Sequence, residues 1–294
     1  MSYIIAIGAY LFLLMIYGLV IAHKKVKTAD DMVTGGHRIP FIILVGSLLA
    51  TWCGGGGITG NASIIYNGGP WVGAITFAAP PIGIILLYFI AGKVRKSNKV
   101  TVPEIMGARY GQSASIISAV CVMLAYVGVL ATQLKAAADI LVLLCSSSGV
   151  EISRGLALVI CTTIIVVITV GGGLVSVAYS DAISALIMIG GFFIAIPILI
   201  SVANAQGAVL PPEKTTLTGG MSGWELLGYF LPSLALMLGD QNMLQRFASA
   251  KNSTEAKKSN VGMFIGEILV IVSIIAVVTQ AARLYPTLDT PSNV

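Results

Sequence analysis

Four consecutive glycines, Gly54–Gly57, lie in the middle of an apolar run that extends from Phe41 to Tyr66. A glycine inside a helix costs about 1 kcal/mol relative to alanine, and backbone groups freed within a bilayer find no water to bond with. Transporters tolerate such breaks where they line a cavity, and use them to bind ions and solutes. The run therefore predicts a membrane helix that is broken near its middle. The alternative is that the glycines only let two helices cross closely.

The composition indicates a polytopic membrane protein. Apolar residues make up 56% of the 294 residues and charged residues 10%, whereas soluble domains contain about 25% charged residues. The mean hydropathy is +0.94. Eight segments are apolar and long enough, or nearly so, to cross the roughly 30 Å of hydrocarbon in a bilayer: Tyr3–Ala22, Phe41–Tyr66, Trp71–Gly92, Ser113–Leu144, Gly155–Val170, Ala182–Ala203, Trp224–Leu238 and Val261–Ala282. We therefore expect an all-α membrane protein with about eight transmembrane helices.

The basic residues predict how the chain is oriented. Three of the connections between spans carry 13 of the 17 lysines and arginines: Lys24, Lys25, Lys27, Arg38, Lys93, Arg95, Lys96, Lys99, Arg109, Arg246, Lys251, Lys257 and Lys258. Because basic loops stay in the cytoplasm, we expect the N-terminus outside and these loops inside a plasma membrane. The net charge of +5 is then a property of these loops, and the expected partner is the lipid bilayer with no nucleic acid. The sequence does not predict an oligomeric state.

A second interruption lies in the seventh segment. This segment contains Pro232, and a polar run, Gly239–Asn242, follows its apolar part. Proline removes a backbone hydrogen bond and polar side chains are costly in lipid, so one interpretation is a second broken span. The other is that Asp240 marks the cytoplasmic end of the span. If both spans are broken they cross in opposite directions, as the first helices of two inverted five-helix repeats do.

Four stretches of the chain resemble signatures of the sodium:solute symporter family. They are Gly35–Arg38 with Tyr66–Gly69, Thr101–Glu104 with Arg109–Gly111, Gly171–Asp181, and Asp240–Asn252. In the second stretch, Thr101 and Pro103 also suit the start of a short helix over Val102–Tyr110.

The resemblance implies a LeuT-type inverted-repeat fold across the chain. Residues 1–40 correspond to an extra helix and loop, residues 41–203 to the first five-helix repeat, and residues 224–294 to the start of the second repeat. The third helix of the second repeat does not occur before Val294, so we expect an incomplete version of this fold.

The resemblance also implies a function, namely sodium-coupled symport of a small organic solute by alternating access. Sodium is then the coupling ion, and no other metal or cofactor is expected. In the family, carbonyl groups of the first broken helix and groups of the third helix of the second repeat bind sodium; the carbonyl positions fall on Ala50 and Cys53. A truncated relative that does not transport, or a sensor-type membrane module, remains an alternative. An enzyme is not expected, because no nucleophile–base pair is evident and Gly54–Gly57 lacks the lysine of a nucleotide-binding loop.

The solute is expected to bind beside the first break. Trp52 and the glycines after it look nearest to the choline-transporting branch of the family, and quaternary ammonium groups are recognised by aromatic cages. Only one cage position is matched, so ordinary packing of Trp52 stays open. Tyr126 and Gln133 are seven residues apart and share one helix face. The predicted solute-binding residues are Trp52, Gly54, Gly55, Gly56, Tyr126, Gln133, Asp240 and Gln241.

Three charged residues outside that set also have predicted positions. Asp181 is expected to cap the sixth segment after a loop at residues 171–180, and the resemblance makes it a cytoplasmic gate residue. Arg246 is its expected gate partner. Glu267 is expected near the cytoplasmic end of the last segment, where its side chain reaches the lipid headgroups.

Overall fold

The computed structural model describes residues 2–287, with residues 2–4 and 55–57 described by their backbone alone. This part of the chain is helical, and its only β-type pairing is an isolated bridge between Ile39 and Ala250. The α-helices are α1 (Ser2–Lys25), α2 (Ala29–Thr34), α3 (Phe41–Trp52), α4 (Gly55–Gly68), α5 (Pro70–Thr76), α6 (Ala79–Ser97), α7 (Val102–Tyr110), α8 (Gln112–Ser147), α9 (Arg154–Ala205), α10 (Gly223–Gly239), α11 (Gln241–Ser249) and α12 (Ser253–Leu284).

Several helices are suited to a bilayer. Among the described residues, five helical stretches are long and apolar enough to cross it: Ile5–Lys25, Pro70–Ser97, Gln112–Ser147, Arg154–Ala205 and Ser253–Leu284. Helix α3 is a shorter apolar helix. The predicted all-α membrane protein is confirmed. The short helix α7 also begins as predicted, because the Thr101 side chain accepts a hydrogen bond from the Glu104 amide.

Helix α9 corrects the predicted loop at residues 171–180. Its 52 residues are helical except at Gly173, where φ is 54° and ψ is −149°. This conformation favours glycine, and a Cβ at Gly173 would lie 2.9 Å from the Cα of Met32. Helical structure continues on both sides of Gly173, where an open loop was predicted. The glycine-rich stretch therefore produces a kink at one residue.

The predicted break after Trp52 is confirmed, and it is shorter than the glycine run. Helix α3 ends at Trp52, and the non-helical residues are Cys53 (φ −80°, ψ 41°) and Gly54 (φ −70°, ψ 162°). The next helix begins at Gly55. The first glycine thus completes the break, and the other three enter α4.

The second interruption is also a break between helices. Helix α10 ends at Gly239, Asp240 has an extended backbone with ψ 114°, and α11 starts at Gln241. The Asp240 side chain accepts a hydrogen bond from the Met243 amide, which caps α11. Asp240 is therefore a junction between two helices, and the interpretation of a second interrupted helix is supported.

Helix α3 occupies the centre of the protein. Its Leu44 and Leu48 are fully buried and share one apolar core with Met243, Phe247 and Met263 of the later helices. This packing lays α11 and α12 against α3. As a result, the two helix breaks face the same interior region.

Gly46 permits the closest approach of α3 to α9, and its substitution should be destabilising. A Cβ at Gly46 would lie 2.6 Å from the Cα of Ala182, which cannot move without shifting the helix. We expect Gly46→Ala to lower the free energy of unfolding by about 1–3 kcal/mol through overpacking. Denaturation in detergent micelles measures this effect.

Gly190→Ala is the matched control for that experiment. Gly190 lies on α9, and nothing lies within 4 Å of the position that an alanine methyl group would take there. Alanine should therefore be neutral or stabilise the helix by at most about 1 kcal/mol. Equal losses in the two variants would contradict a tight contact at Gly46.

Candidate functional site

A cavity of about 520 Å³ lies between the two helix breaks, and we call it the central cavity. Four of the predicted solute-binding residues line it: Trp52, Tyr126, Gln133 and Asp240. The structure thus brings together side chains from α3, α8 and the α10–α11 junction. Its remaining lining residues are Thr51, Gly60, Asn61, Ile64, Val129, Thr132, Tyr229, Ser233, Leu236 and Asn242.

The α10 wall of the central cavity was not predicted, although the sequence contains a signal for it. Tyr229, Ser233 and Leu236 precede Asp240 at intervals of four, three and four residues. This spacing places side chains on one face of a helix. Extending the helix backwards from Asp240 would have identified these residues.

Tyr126 joins α8 to the second break. Its hydroxyl donates a hydrogen bond to Oδ1 of Asp240 at 3.1 Å and accepts one from the Asn242 amide at 3.1 Å. The same Oδ1 accepts a hydrogen bond from the Met243 amide at 2.9 Å. The amides of Asn242 and Met243, in the first turn of α11, therefore find their hydrogen-bond acceptors on side chains of the cavity wall.

Around the first break, the predicted residues have different surroundings. The backbone of Gly54 lies directly against the side-chain amide of Gln133, so that a Cβ would overlap it. Ala50 packs beside the apolar core, and the Cys53 Sγ lies 3.8 Å from Oε2 of Glu267. The surroundings of Gly55 and Gly56 lie outside what the structure describes.

Gln241 is not among the residues that line the central cavity. Its Oε1 accepts a hydrogen bond from the Val102 amide at 2.7 Å, and its Nε2 donates one to the Val100 carbonyl at 3.1 Å. The side chain therefore fastens α11 to the start of α7. Its neighbours are more than a hundred residues away in the sequence, so spacing could not predict this contact.

Asp181 and Arg246, the two predicted gate residues, form an ion pair. Arg246 Nη2 donates to Oδ2 of Asp181 at 3.1 Å, Ser47 Oγ donates to the same oxygen at 2.8 Å, and Arg246 Nε donates to Ser47 Oγ at 2.8 Å. The Arg246 side chain is 6% exposed and that of Asp181 is 24% exposed. This Ser47–Asp181–Arg246 network joins α3, α9 and α11.

The position predicted for Asp181 within its helix is wrong. Asp181 lies inside α9, beyond the kink at Gly173, and not at a helix N-terminus. The reason is that α9 continues through residues 174–180, so no free amides exist for Asp181 to cap. Its carboxylate binds side chains of other helices, and Ser47 is a partner that local sequence did not indicate.

A loop adds further contacts next to this network. Nδ1 of His37 lies 2.6 Å from the Ala248 carbonyl oxygen, and Gln245 Nε2 donates to the Val33 carbonyl at 2.8 Å. These contacts fasten the segment between α1 and α3 to α11.

The same loop is ordered by a capping box at the start of α2. Asp31 accepts hydrogen bonds from the backbone amide of Lys27 and from the side chain and amide of Thr28. These bonds hold the pKa of Asp31 below its ordinary value, so the carboxylate stays charged at neutral pH.

The predicted surface position of Glu267 is wrong as well. Glu267 lies inside the protein and is only 1% exposed. The carboxyl group contacts Cys53 at the first break. Because α12 begins at Ser253, Glu267 is more than three turns from that helix end, too far to reach headgroups there.

Comparisons with known proteins agree with this architecture. The sequence model of the sodium:solute symporter family matches residues 32–288. High affinity choline transporter 1 of Homo sapiens is 25% identical over 276 residues, covering 86% of this chain and 46% of that protein. Sodium/glucose cotransporter 4 of Danio rerio is 27% identical over 266 residues, covering 80% of this chain and 39% of the relative. The chain spans about half the length of the curated relatives it matches.

A solved structure has the same fold. It is described as the substrate-bound outward-open state of a Na+-coupled sialic acid symporter, and it superposes with a TM-score of 0.80 at 17% identity. The match covers 99% of this chain and 64% of the solved one. The helices described above therefore form a large part of a LeuT-like fold.

Proposed function

The chain belongs to the sodium:solute symporter family, and on this premise we propose that it carries out sodium-coupled symport of a small organic solute across the plasma membrane. The central cavity is the observation that carries this proposal, because it is lined by residues of both interrupted helices. Transporters of this kind bind solute and coupling ion where discontinuous helices meet near the middle of the bilayer.

The proposed repeats account for the position of the cavity. Residues 41–203 would form the first repeat after an extra helix and loop at 1–40, and residues from 224 onward would begin the second. Each repeat then starts with a broken pair, α3–α4 or α10–α11. With the N-terminus outside, α4 and α10 form the outer halves, and the central cavity opens outward between them.

In this orientation the Ser47–Asp181–Arg246 network acts as the cytoplasmic gate. Ser47 precedes Trp52 by five residues on α3, which is about 7.5 Å along a helix axis. The network thus lies on the cytoplasmic side of the central cavity. Alternating access would require the network to separate before solute can leave inward.

The end of α3 fits the coupling ion. Sodium, a hard cation, prefers oxygen ligands, and unwound backbone in transporters supplies carbonyl groups to it. Ala50 lies in the last turn of α3, where carbonyls lack the amide of a following turn. We propose Ala50 and Cys53 as carbonyl ligands, with sodium supplying positive charge next to the cavity when bound.

The cavity lining favours a neutral or cationic solute over an anion. Asp240 contributes a carboxylate, and Trp52 and Tyr229 contribute aromatic rings, while the lining residues described include no lysine, arginine or histidine. Aromatic faces and carboxylates attract ammonium groups. An anion would have to approach Asp240 without a compensating charge. A quaternary ammonium compound such as choline is thus the first solute to test.

Uptake by the intact gene product, reconstituted in vesicles, tests this function. We expect choline uptake driven by an inward sodium gradient to fall to background when potassium replaces sodium. Trp52→Ala should reduce uptake by up to about 30-fold, because a desolvated interaction between an ammonium group and the Trp52 ring contributes about 2 kcal/mol to binding. Trp224→Ala is the control, because Trp224 is 84% exposed and does not line the cavity. Sodium-independent uptake would contradict the proposal.

A further inference from the structure

Glu267 is a buried carboxyl group that the proposed function does not yet use. The residue lies in α12 and is 1% exposed, which makes it one of the largest fully buried side chains in the described part of the chain. Acidic residues within membrane spans are costly and are associated with ion and substrate pathways. The position of Glu267 therefore requires an explanation.

The neighbours of Glu267 do not neutralise its charge. The Cys53 thiol donates to Oε2 at 3.8 Å, and the Trp52 side chain provides a further hydrogen bond. Both are neutral donors. Among the described residues the ion pairs involve other acids, and none includes Glu267. A buried carboxylate is stable only when a cation or strong donors compensate for its lost hydration.

Close packing directs Glu267 to the end of α3. A Cβ at Gly262 would lie 2.5 Å from the Val45 side chain, and a Cβ at Gly266 would overlap that of Leu49. These glycines let α12 approach the last turns of α3. Glu267, the next residue, contacts Cys53 at the first break, where the final carbonyls of α3 lack partners within the helix.

We propose that the Glu267 carboxylate is a ligand of the sodium ion bound at this break, and that it supplies the negative charge which main-chain carbonyls lack. The inference rests on the proposed sodium coupling. The family resemblance placed the sodium ligands on carbonyls of the first break and on a later helix. The proposal adds a ligand from α12.

Trp52 links the proposed ion site to the solute. Its side chain lines the central cavity and also contacts Glu267. A cation that draws the carboxylate toward itself would change the hydrogen bond to Trp52. Ion binding would then alter a wall of the central cavity through one shared residue.

Sodium binding can be measured through Trp52 without transport. The chain has three tryptophans. Replacing the exposed Trp71 and Trp224 by phenylalanine leaves Trp52 as the tryptophan whose fluorescence is measured. Sodium chloride is titrated against a constant total of sodium plus potassium chloride, and the midpoint of the fluorescence change reports affinity. We expect Glu267→Gln to weaken sodium binding by at least about tenfold, as loss of a metal-site partner commonly does.

Glu255→Gln is the matched control, because Glu255 lies on the same helix and its carboxylate is 3.9 Å from Lys258 Nζ near the start of that helix. Its midpoint should equal that of the parent. If the parent itself shows no sodium-dependent change, both sodium coupling and the role of Glu267 are overturned. If the parent responds and Glu267→Gln has the same midpoint, only the role of Glu267 is overturned.

Glu267→Asp decides the question should the glutamine variant fail to purify as a single species. It retains the charge but withdraws the carboxylate by one methylene group. We expect weaker sodium binding and an altered ratio of sodium to lithium affinity, since the coordination distances must change. A midpoint and ratio equal to those of the parent would refute the proposal.

Discussion

Replacing Arg246 by methionine should destabilise the protein by up to about 3–5 kcal/mol, because it leaves the partly buried carboxylate of Asp181 without its cation. Asp181 would retain only Ser47 as a hydrogen-bond donor from the Ser47–Asp181–Arg246 network. Arg246 is almost fully buried, so water cannot replace the guanidinium group without opening the interface of α3, α9 and α11. Uptake should be lost in the same variant, because the proposed cytoplasmic gate no longer closes.

An exposed ion pair in the same protein provides the control. Arg154 Nη2 lies 2.8 Å from Oδ1 of Asp139, but the two side chains are 53% and 45% exposed. Arg154→Met should therefore cost no more than about 1 kcal/mol. Unfolding in detergent, followed by helical circular dichroism, gives both values. Equal costs would show that burial of Arg246 does not matter.

A double variant distinguishes the effect of the unpaired Asp181 charge from the effect of losing the packing contacts of Arg246. Asp181→Asn combined with Arg246→Met removes both charges, and such replacements of buried pairs are often nearly neutral in stability. We expect the double variant to recover most of the stability lost in Arg246→Met. Its uptake should stay low, since the network that holds the gate is still absent. A double variant as unstable as the single one would indicate that Arg246 acts mainly through packing.

The second large effect is expected at Tyr126. Tyr126→Phe removes one hydroxyl that bonds both Asp240 and the Asn242 amide, and an unsatisfied buried group costs about 1–3 kcal/mol. If the substitution destabilises the solute-binding conformation by this free energy, uptake should decrease by roughly 5- to 150-fold. Initial rates of sodium-driven uptake at low solute concentration measure it.

Tyr229→Phe is the comparison for that variant. Tyr229 lines the central cavity from α10, so this variant also removes a tyrosine hydroxyl, but from a different wall of the cavity. A smaller decrease is expected here, because Tyr229 does not bond the amide that starts α11. If both variants lose uptake equally, the hydroxyls act by contacting solute and not by holding the second break.

Much of the local structure could be predicted because its causes act over a few residues. Glycine at position 54 disfavours helix, and the break consists of Cys53 and Gly54. Thr101 caps α7 by accepting a hydrogen bond from the Glu104 amide. Tyr126 and Gln133 reach one cavity because helical spacing puts them on one face. Apolar length predicted six of the eight expected spans, which correspond to the five long apolar helical stretches of the described residues.

Contacts between distant segments that no resemblance had indicated were decided by the tertiary structure alone. Arg246 bonds Ser47 across 199 residues, and Cys53 meets Glu267 across 214 residues. Local spacing indicates on which helix a side chain lies but not which helix packs against it. Thus the sequence by itself determined the all-α membrane class, the first break and the family, and the family resemblance indicated Arg246 as the partner of Asp181. The second break, the burial of Glu267 and the contacts of Ser47 and Gln241 were decided by the tertiary structure. The physical reason is that desolvation and side-chain pairing are properties of the assembled interior, to which remote parts of the chain contribute together.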